Sequence, residues 1–383
     1  MEITDITVHP LSVPDRADKA DATQATAVIE VETDEGITGI GEASTSPWIV
    51  ETIVNAPVSN VKVRGLRDIV VGRDPFDVGA IWDDCFHGTY GFGRKGAAIN
   101  AISGIDIACW DIMGKATGKP VHALLGGSHR DRIRAYASTL FPEDPSDTDT
   151  VRRRAEAALD DGFTAVKFGW GGFGVDARLD HSLVGAAREV LGPDIDLMVD
   201  AGLVWEGDVK GAIKRTNSLD DEFDLFWLEE PVYADNLTSY ARISEGTETR
   251  IVGGESEYTT YGFENLLRFG GVDGVQPDVA RSGGITQLQR IARMADRHGV
   301  PFYPHGYSTD IVVAASLHLT AAHPREPLLE YCVEQGPLRW DLVEEDFPVE
   351  DGAVTVPDGP GLGISLDRDV LETYTTPMDQ LTS

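Results

Sequence analysis

From about residue 127 onward, short apolar runs alternate with stretches of helical periodicity, and no other feature of the chain constrains its fold as tightly. The runs lie at 133–140, 165–169, 195–200, 225–230, 251–255, 274–278, 301–305 and 328–333. Between them, stretches such as 150–159, 181–191 and 285–298 carry apolar residues at the spacing of amphipathic helices. Runs that are apolar throughout suit strands covered on both faces. Seven or eight βα units at a spacing of roughly 25–30 residues predict a parallel (β/α)-barrel rather than a doubly wound sheet.

The residues before that point have a different texture. Residues 3–13 alternate as a strand, and 25–42 read as a hairpin turning at Thr33-Asp34-Glu35-Gly36. Between them, 15–24 is polar and aperiodic, which predicts a mobile loop. From about 49 to 118 the pattern is helical, and the small, apolar stretch 97–112 predicts a buried helix closed by Gly114, Gly118 and Pro120. The tail from Gly352, with a strand-like 363–366, is expected to pack back on the N-terminal layer.

Charge narrows the function classes. The chain has 64 Asp and Glu against 32 Lys and Arg, a formal net charge of −32, and only 8 of its bases are lysine. Such a surface repels nucleic acid and anionic membranes, both of which are bound through clustered Lys and Arg. Disorder is excluded by 42% hydrophobic and 8% aromatic residues. Salt relieves the self-repulsion of so much charge, which points to a salt-rich cytosol, as in halophiles. Cys85, Cys109 and Cys332 are scattered and odd in number, so they fit neither a disulfide framework nor a Cys-type zinc site. The opening MEITDITVHP is no signal peptide, and no apolar run nears the ~18 residues of a membrane span, so a cytoplasmic protein is expected.

Acids recur where the apolar runs end. Met198-Val199-Asp200, Trp227-Leu228-Glu229-Glu230-Pro231 and Val252-Gly253-Gly254-Glu255 each pass from strand into carboxylate. Strand C-termini converge on one mouth in such barrels, and three carboxylates there offer oxygen ligation to a hard dication, Mg²⁺ fitting best. The next two runs end in Gln276-Pro277-Asp278 and Tyr303-Pro304-His305-Gly306. Neighbouring strands would set Asp278 beside His305, where it can orient the imidazole and raise its basicity. Glu330 ends the last run and Lys167 the second, in Val166-Lys167-Phe168-Gly169. A buried Lys167 is either catalytic or a charge partner for nearby acids. Arg281, three residues past Asp278, either reaches the substrate or pairs with acids of the surface. Trp170 and Trp48 are candidates for walling the substrate pocket.

Taken together, these motifs resemble the enolase superfamily, mandelate racemase subgroup, over nearly the whole chain. The resemblance also rests on Ala101-Ile102-Ser103-Gly104-Ile105-Asp106, on Pro120-Val121-His122-Ala123-Leu124-Leu125-Gly126-Gly127, and on Pro360-Gly361-Leu362-Gly363. It implies an α/β fold: a modified (β/α)₇β TIM-like barrel over 129–351 and an α+β capping domain over 1–128, completed by 352–383. It assigns one Mg²⁺ to Asp200, Glu229 and Glu255, the general-base dyad to His305 with Asp278, and Glu330 to a place near the enolate oxygen. Capping loops at 15–24 and 46–48 would read the distal end of the substrate. Relatives form dimers and octamers, so a homo-oligomer is expected.

Two departures from the family pattern matter. The second-strand motif is commonly Lys-x-Lys, whose second lysine is the opposing base, and here Gly169 stands in its place. An asparagine often found two residues past the first metal ligand is replaced by Gly202. Racemisation needs a base on each face of the enolate. With one base, His305 takes the proton α to the carboxylate and, as imidazolium, can protonate a β-hydroxyl on the same face. Lys167 would add positive charge, and Glu330 would hydrogen-bond the enediolate oxygen if protonated. The expected function is therefore a Mg²⁺-dependent acid-sugar dehydratase, acting on an aldonate or aldarate and giving a 2-keto-3-deoxy acid. Racemisation or epimerisation of a 2-hydroxy acid, with Lys167 as second base, is the alternative, and a non-catalytic binding protein is another. Cycloisomerase and dipeptide-epimerase relatives use a lysine where this chain has Asp278, which disfavours them.

Overall fold

The computed structural model describes residues 1–380 apart from Asp15, Asp18 and Glu326. Strands β1 (Ile3–Ser12), β2 (Ala25–Thr33) and β3 (Thr38–Ala43) form an antiparallel sheet, turning at Thr33–Gly36 as the sequence predicts. Helix Ala97–Thr117 packs against β3 and is buried over most of its length; most of its side chains are small or apolar, and the buried Asp106 and Asp111 carboxylates accept from Thr286 and Leu362 N–H. Its end is capped by Gly118 at φ 64°, a left-handed turn that glycine takes without strain. Of the 15–24 loop, Asp15 and Asp18 lie outside the described residues, and Ala22–Gln24 forms a short 3₁₀ turn capped by Asp21.

Parallel strands then follow as β4 (Arg132–Leu140), β5 (Ala165–Gly169), β6 (Asp196–Asp200), β7 (Leu225–Glu229), β8 (Ile251–Gly253) and β9 (Gly274–Val275), each hydrogen-bonded to the next. A last strand, β10 (Leu329–Cys332), pairs in parallel with β4 and so closes the ring. Seven helices, from Thr148–Asp160 to Asp310–Ala321, separate these passages, which gives the (β/α)₇β barrel. Residues 301–305 take the seventh strand's place without forming a ladder. Only isolated bridges, Val275 to Phe302 and Asp278 to His305, hold them, because Pro301 and Pro304 carry no N–H.

The tail divides. Strands β11 (Val349–Glu350) and β12 (Ala353–Thr355) form a hairpin whose second arm pairs antiparallel with the start of β4, so those residues belong to the foot of the barrel rather than to the cap. Residues 363–366 form no strand; Leu366 makes a single bridge to Val343. Further on, the tail touches the N-terminal layer: Thr376 N–H donates to Pro10 C=O at 2.7 Å, and Arg368 pairs with Glu30. Among the described residues, no helix is long and apolar enough to cross a membrane.

Candidate active site

Strand register builds the site. Parallel pairing sets Gly169 opposite Asp200 and Asp200 opposite Glu229, so three successive strands end level with one another. Side chains alternate along a strand, so Lys167 shares the face of Gly169 one layer deeper. Glu255 follows the end of β8, where Gly254 N–H donates to the buried Glu230 carboxylate at 2.7 Å and fixes the turn. One oxygen each of Asp200, Glu229 and Glu255 lies within 4.8 Å of the others, and all three residues are buried. Burial, with Glu229 beside it, pushes the Asp200 carboxyl well above the usual carboxylate range, and burial raises Glu229 as well. Burial acts the same way on Glu255, but His305 and Arg281 outweigh it and hold that carboxyl low. This crowding of anions, all hard oxygen donors, fits a divalent cation such as Mg²⁺.

The dyad forms on the facing side. His305 Nδ1 lies 2.6 Å from Asp278 Oδ2, and Asp278 Oδ1 accepts from Ala280 N–H at 2.7 Å. That leaves Nε2 facing Glu255 at 3.1 Å and Glu330 at 3.8 Å. Burial disfavours the imidazolium, but Glu330, Glu255 and Asp278 outweigh it and raise the His305 pKa well above normal.

Lys167 Nζ sits 2.5 Å from Glu229 and 2.8 Å from Glu330, so both carboxylates engage its ammonium. Glu330, on β10, faces His305 Nε2 at 3.8 Å. It accepts from Ser138 Oγ–H at 2.7 Å, from Lys167 and from Gly306 N–H at 2.9 Å; burial raises its carboxyl, but Lys167, His305 and Ser138 outweigh that and hold its pKa low, at about 2. Through these contacts it positions Lys167 and the turn after His305.

The remaining candidates divide. Arg281 is half-buried between Glu255 at 3.5 Å and Asp278 at 3.6 Å, not paired with surface acids. Trp170 lines the cavity and donates its indole N–H to Asp200 Oδ2 at 3.0 Å. Its backbone is left-handed at φ 55°, a strain of about 1–3 kcal/mol for a bulky residue. A Cβ at Gly202 would stand 2.9 Å from the Trp170 ring, so a side chain at 202 would collide with the tryptophan as it is turned here. The other departure is packed as closely, for a Cβ at Gly169 would lie 2.5 Å from Asp200 Cβ. Trp48 is not among the cavity's lining residues: its indole N–H is held by Thr376 C=O at 2.8 Å and its ring faces Arg16.

Sequence reasoning passed over Ser138, Glu230, Tyr307 and Glu42. The first had a signal, a hydroxyl near the end of the first barrel run. Glu42 had none. It lies on β3 of the cap, yet it accepts from Thr26, Ser308 and Thr309 hydroxyls and so fixes the loop after His305.

An α+β cap over a parallel barrel, with acids stepping round the mouth toward a His–Asp pair, is an enolase-type architecture. Residues 4–126 match the family model described as mandelate racemase / muconate lactonizing enzyme, N-terminal domain, and residues 150–370 match the enolase C-terminal domain-like model. The chain belongs to the mandelate racemase/muconate lactonizing enzyme family of the enolase superfamily. It is 35% identical to D-galactarolactone cycloisomerase of Agrobacterium fabrum, over 92% of each chain. It is 32% identical to arabinonate dehydratase of Saccharolobus solfataricus, over 90% of this chain and 89% of that one. It is also 32% identical to D-xylonate dehydratase of Haloferax volcanii, over 91% and 84%. A racemase from Streptomyces coelicolor solved with bound magnesium superposes with a TM-score of 0.85 at 29% identity, covering 98% of this chain and 100% of that one.

Proposed function

We propose that the protein is a Mg²⁺-dependent acid-sugar dehydratase that removes the proton α to a carboxylate and expels the β-hydroxyl, leaving a 2-keto-3-deoxy acid. The observation that carries this reading is the single base. The His305–Asp278 dyad is intact, while the usual place of the opposing base is a glycine packed on Asp200. Asp200, Glu229 and Glu255 would hold one Mg²⁺ per subunit. When bound, the ion supplies electrostatic stabilisation for the second negative charge that develops on the substrate. His305 Nε2 accepts the α-proton while Asp278 holds Nδ1, so the new imidazolium carries its proton on the reacting face. The same N–H then passes its proton to the departing β-hydroxyl, a syn elimination. Lys167 adds fixed positive charge beneath the carboxylate end, and the names of the arabinonate and D-xylonate dehydratases support an acid-sugar substrate.

A second reading, cycloisomerisation of a sugar lactone, is favoured by the cycloisomerase relative. It shares α-proton removal but yields an isomer of unchanged mass. We read the acid excess as salt adaptation, and the protein as a cytoplasmic homo-oligomer. A screen of acid sugars and their lactones with Mg²⁺ at high salt, with semicarbazide detecting 2-keto products, tests the proposal. A keto-deoxy acid lighter by one water, abolished by His305→Asn, is expected. An isomeric product would favour the second reading, and turnover that survives His305→Asn would contradict the dyad.

A further inference from the structure

The cavity over the site, about 340 Å³, has two unlike ends. One carries the chemistry: Lys167, Asp200, Glu255, Arg281 and His305. The other is bounded by Ala20, Asp21, Ala22, Leu140, Trp170 and Tyr307. There Leu140, Tyr307 and Cys332 make a small apolar cluster against which Ala22 and Trp170 pack. Tyr307 is only 8% exposed, and its hydroxyl has no hydrogen-bond partner among the described residues. Buried hydroxyls in native proteins are paired, so an unpartnered one on a residue that lines the cavity can turn to a ligand hydroxyl.

Charge is as informative. Asp21 is the only charged group on that wall among the described residues, and it is an anion. Lys19 is engaged by Asp21 at 2.8 Å and Glu334 at 3.5 Å, Arg154 by Glu334 at 3.5 Å and by Leu140 C=O, and Arg16 is not among the cavity's lining residues, its guanidinium lying over Trp48 and donating to Ser12 Oγ at 2.8 Å. Among the described residues no cation lines that wall, so a second carboxylate placed here would be buried beside the Asp21 anion, an arrangement of high cost.

We infer that the distal half of the cavity takes the uncharged end of a monocarboxylic sugar acid, with the Tyr307 hydroxyl bonding one of its hydroxyls, and that it rejects a dicarboxylic acid. The inference rests on the acid-sugar reading above and narrows it from aldonate or aldarate to aldonate.

The test measures binding, by titration calorimetry with Mg²⁺ present, of matched aldonate and aldarate pairs of the gluco, galacto and manno configurations. The tightest ligand is expected to be an aldonate, held roughly 100-fold or more above its own aldarate. An aldarate as the tightest ligand, a pair within threefold, or no binding by any member overturns the inference. Turnover assayed in parallel separates the two claims. Aldonate-selective binding without keto product would sink the dehydratase reading alone, whereas keto product from aldarates would sink only this one. Tyr307→Phe should raise KM about tenfold for the preferred aldonate, as loss of one uncharged hydrogen bond allows, and raise KM more than it lowers kcat. An unchanged KM removes Tyr307 from the proposal.

Discussion

Gly169→Ala is the smallest change that asks whether the space opposite His305 is closed. A Cβ at this position would lie 2.5 Å from Cβ, 3.0 Å from Cγ and 3.1 Å from Oδ2 of Asp200, where ordinary contact begins at 3.4 Å. Asp200 must retreat by about 1 Å, and a displacement of that size in a reacting constellation costs on the order of 10²-fold in rate. The backbone itself does not object, because Gly169 is not among the glycines with positive φ. In an open strand the same change would stabilise by roughly 0.5–1 kcal/mol, whereas overpacking here destabilises by about 1–3 kcal/mol. The assay is kcat/KM as a function of Mg²⁺ concentration, alongside a melting curve. A fall of about 100-fold is predicted, with half-saturating Mg²⁺ raised about tenfold or more. Wild-type kcat/KM and Mg²⁺ dependence in a folded Gly169→Ala protein would refute the packing argument, and with it the structural reason for a single base.

Two further predictions concern neighbours of the site and the joint between cap and barrel. Trp170→Phe keeps the ring but removes the 3.0 Å bond to Asp200, so half-saturating Mg²⁺ should rise about tenfold in a titration of turnover, and an unchanged value would show the bond idle. His318 is buried between His122 and Leu362 C=O, and burial lowers its pKa to about 4 from 6.5. The neutral ring is the one the fold accepts, so its contribution is whole above pH 6.5 and is lost as pH falls toward 4. The loss amounts to about 3 kcal/mol. Urea unfolding at pH 7 and pH 4.5 should show part of the acid loss vanish in His318→Gln, and an identical pH slope in both proteins would contradict it.

Much of this was legible in the chain because barrel physics writes itself as local pattern. The runs at 165–169 and 225–230 became β5 and β7 within a residue, and the acids at their ends came together since parallel register requires it. What escaped depended on contacts between distant segments or on backbone turns. Residues 301–305 read as a strand by hydropathy, but two prolines reduce them to bridges. Trp170 was placed near the pocket, yet its bond to Asp200 needs the left-handed turn at φ 55° and the empty space over Gly202. The donors that hold Glu330, from Ser138, Lys167 and Gly306, come from two other strands and a loop, which no local pattern reveals. The open Tyr307 hydroxyl is visible only once the 20–22 loop, β4 and the turn after His305 are assembled.

The central claim is a single base working on one face. Turnover in D₂O with Mg²⁺ on the best acid sugar, followed by mass and proton spectra of product and recovered substrate, tests it most directly. A 2-keto-3-deoxy acid is predicted to accumulate with deuterium at C3, the former β-carbon, where the enol ketonises. α-Deuterium entering the substrate with inversion, and no keto product, would establish a second base and contradict it.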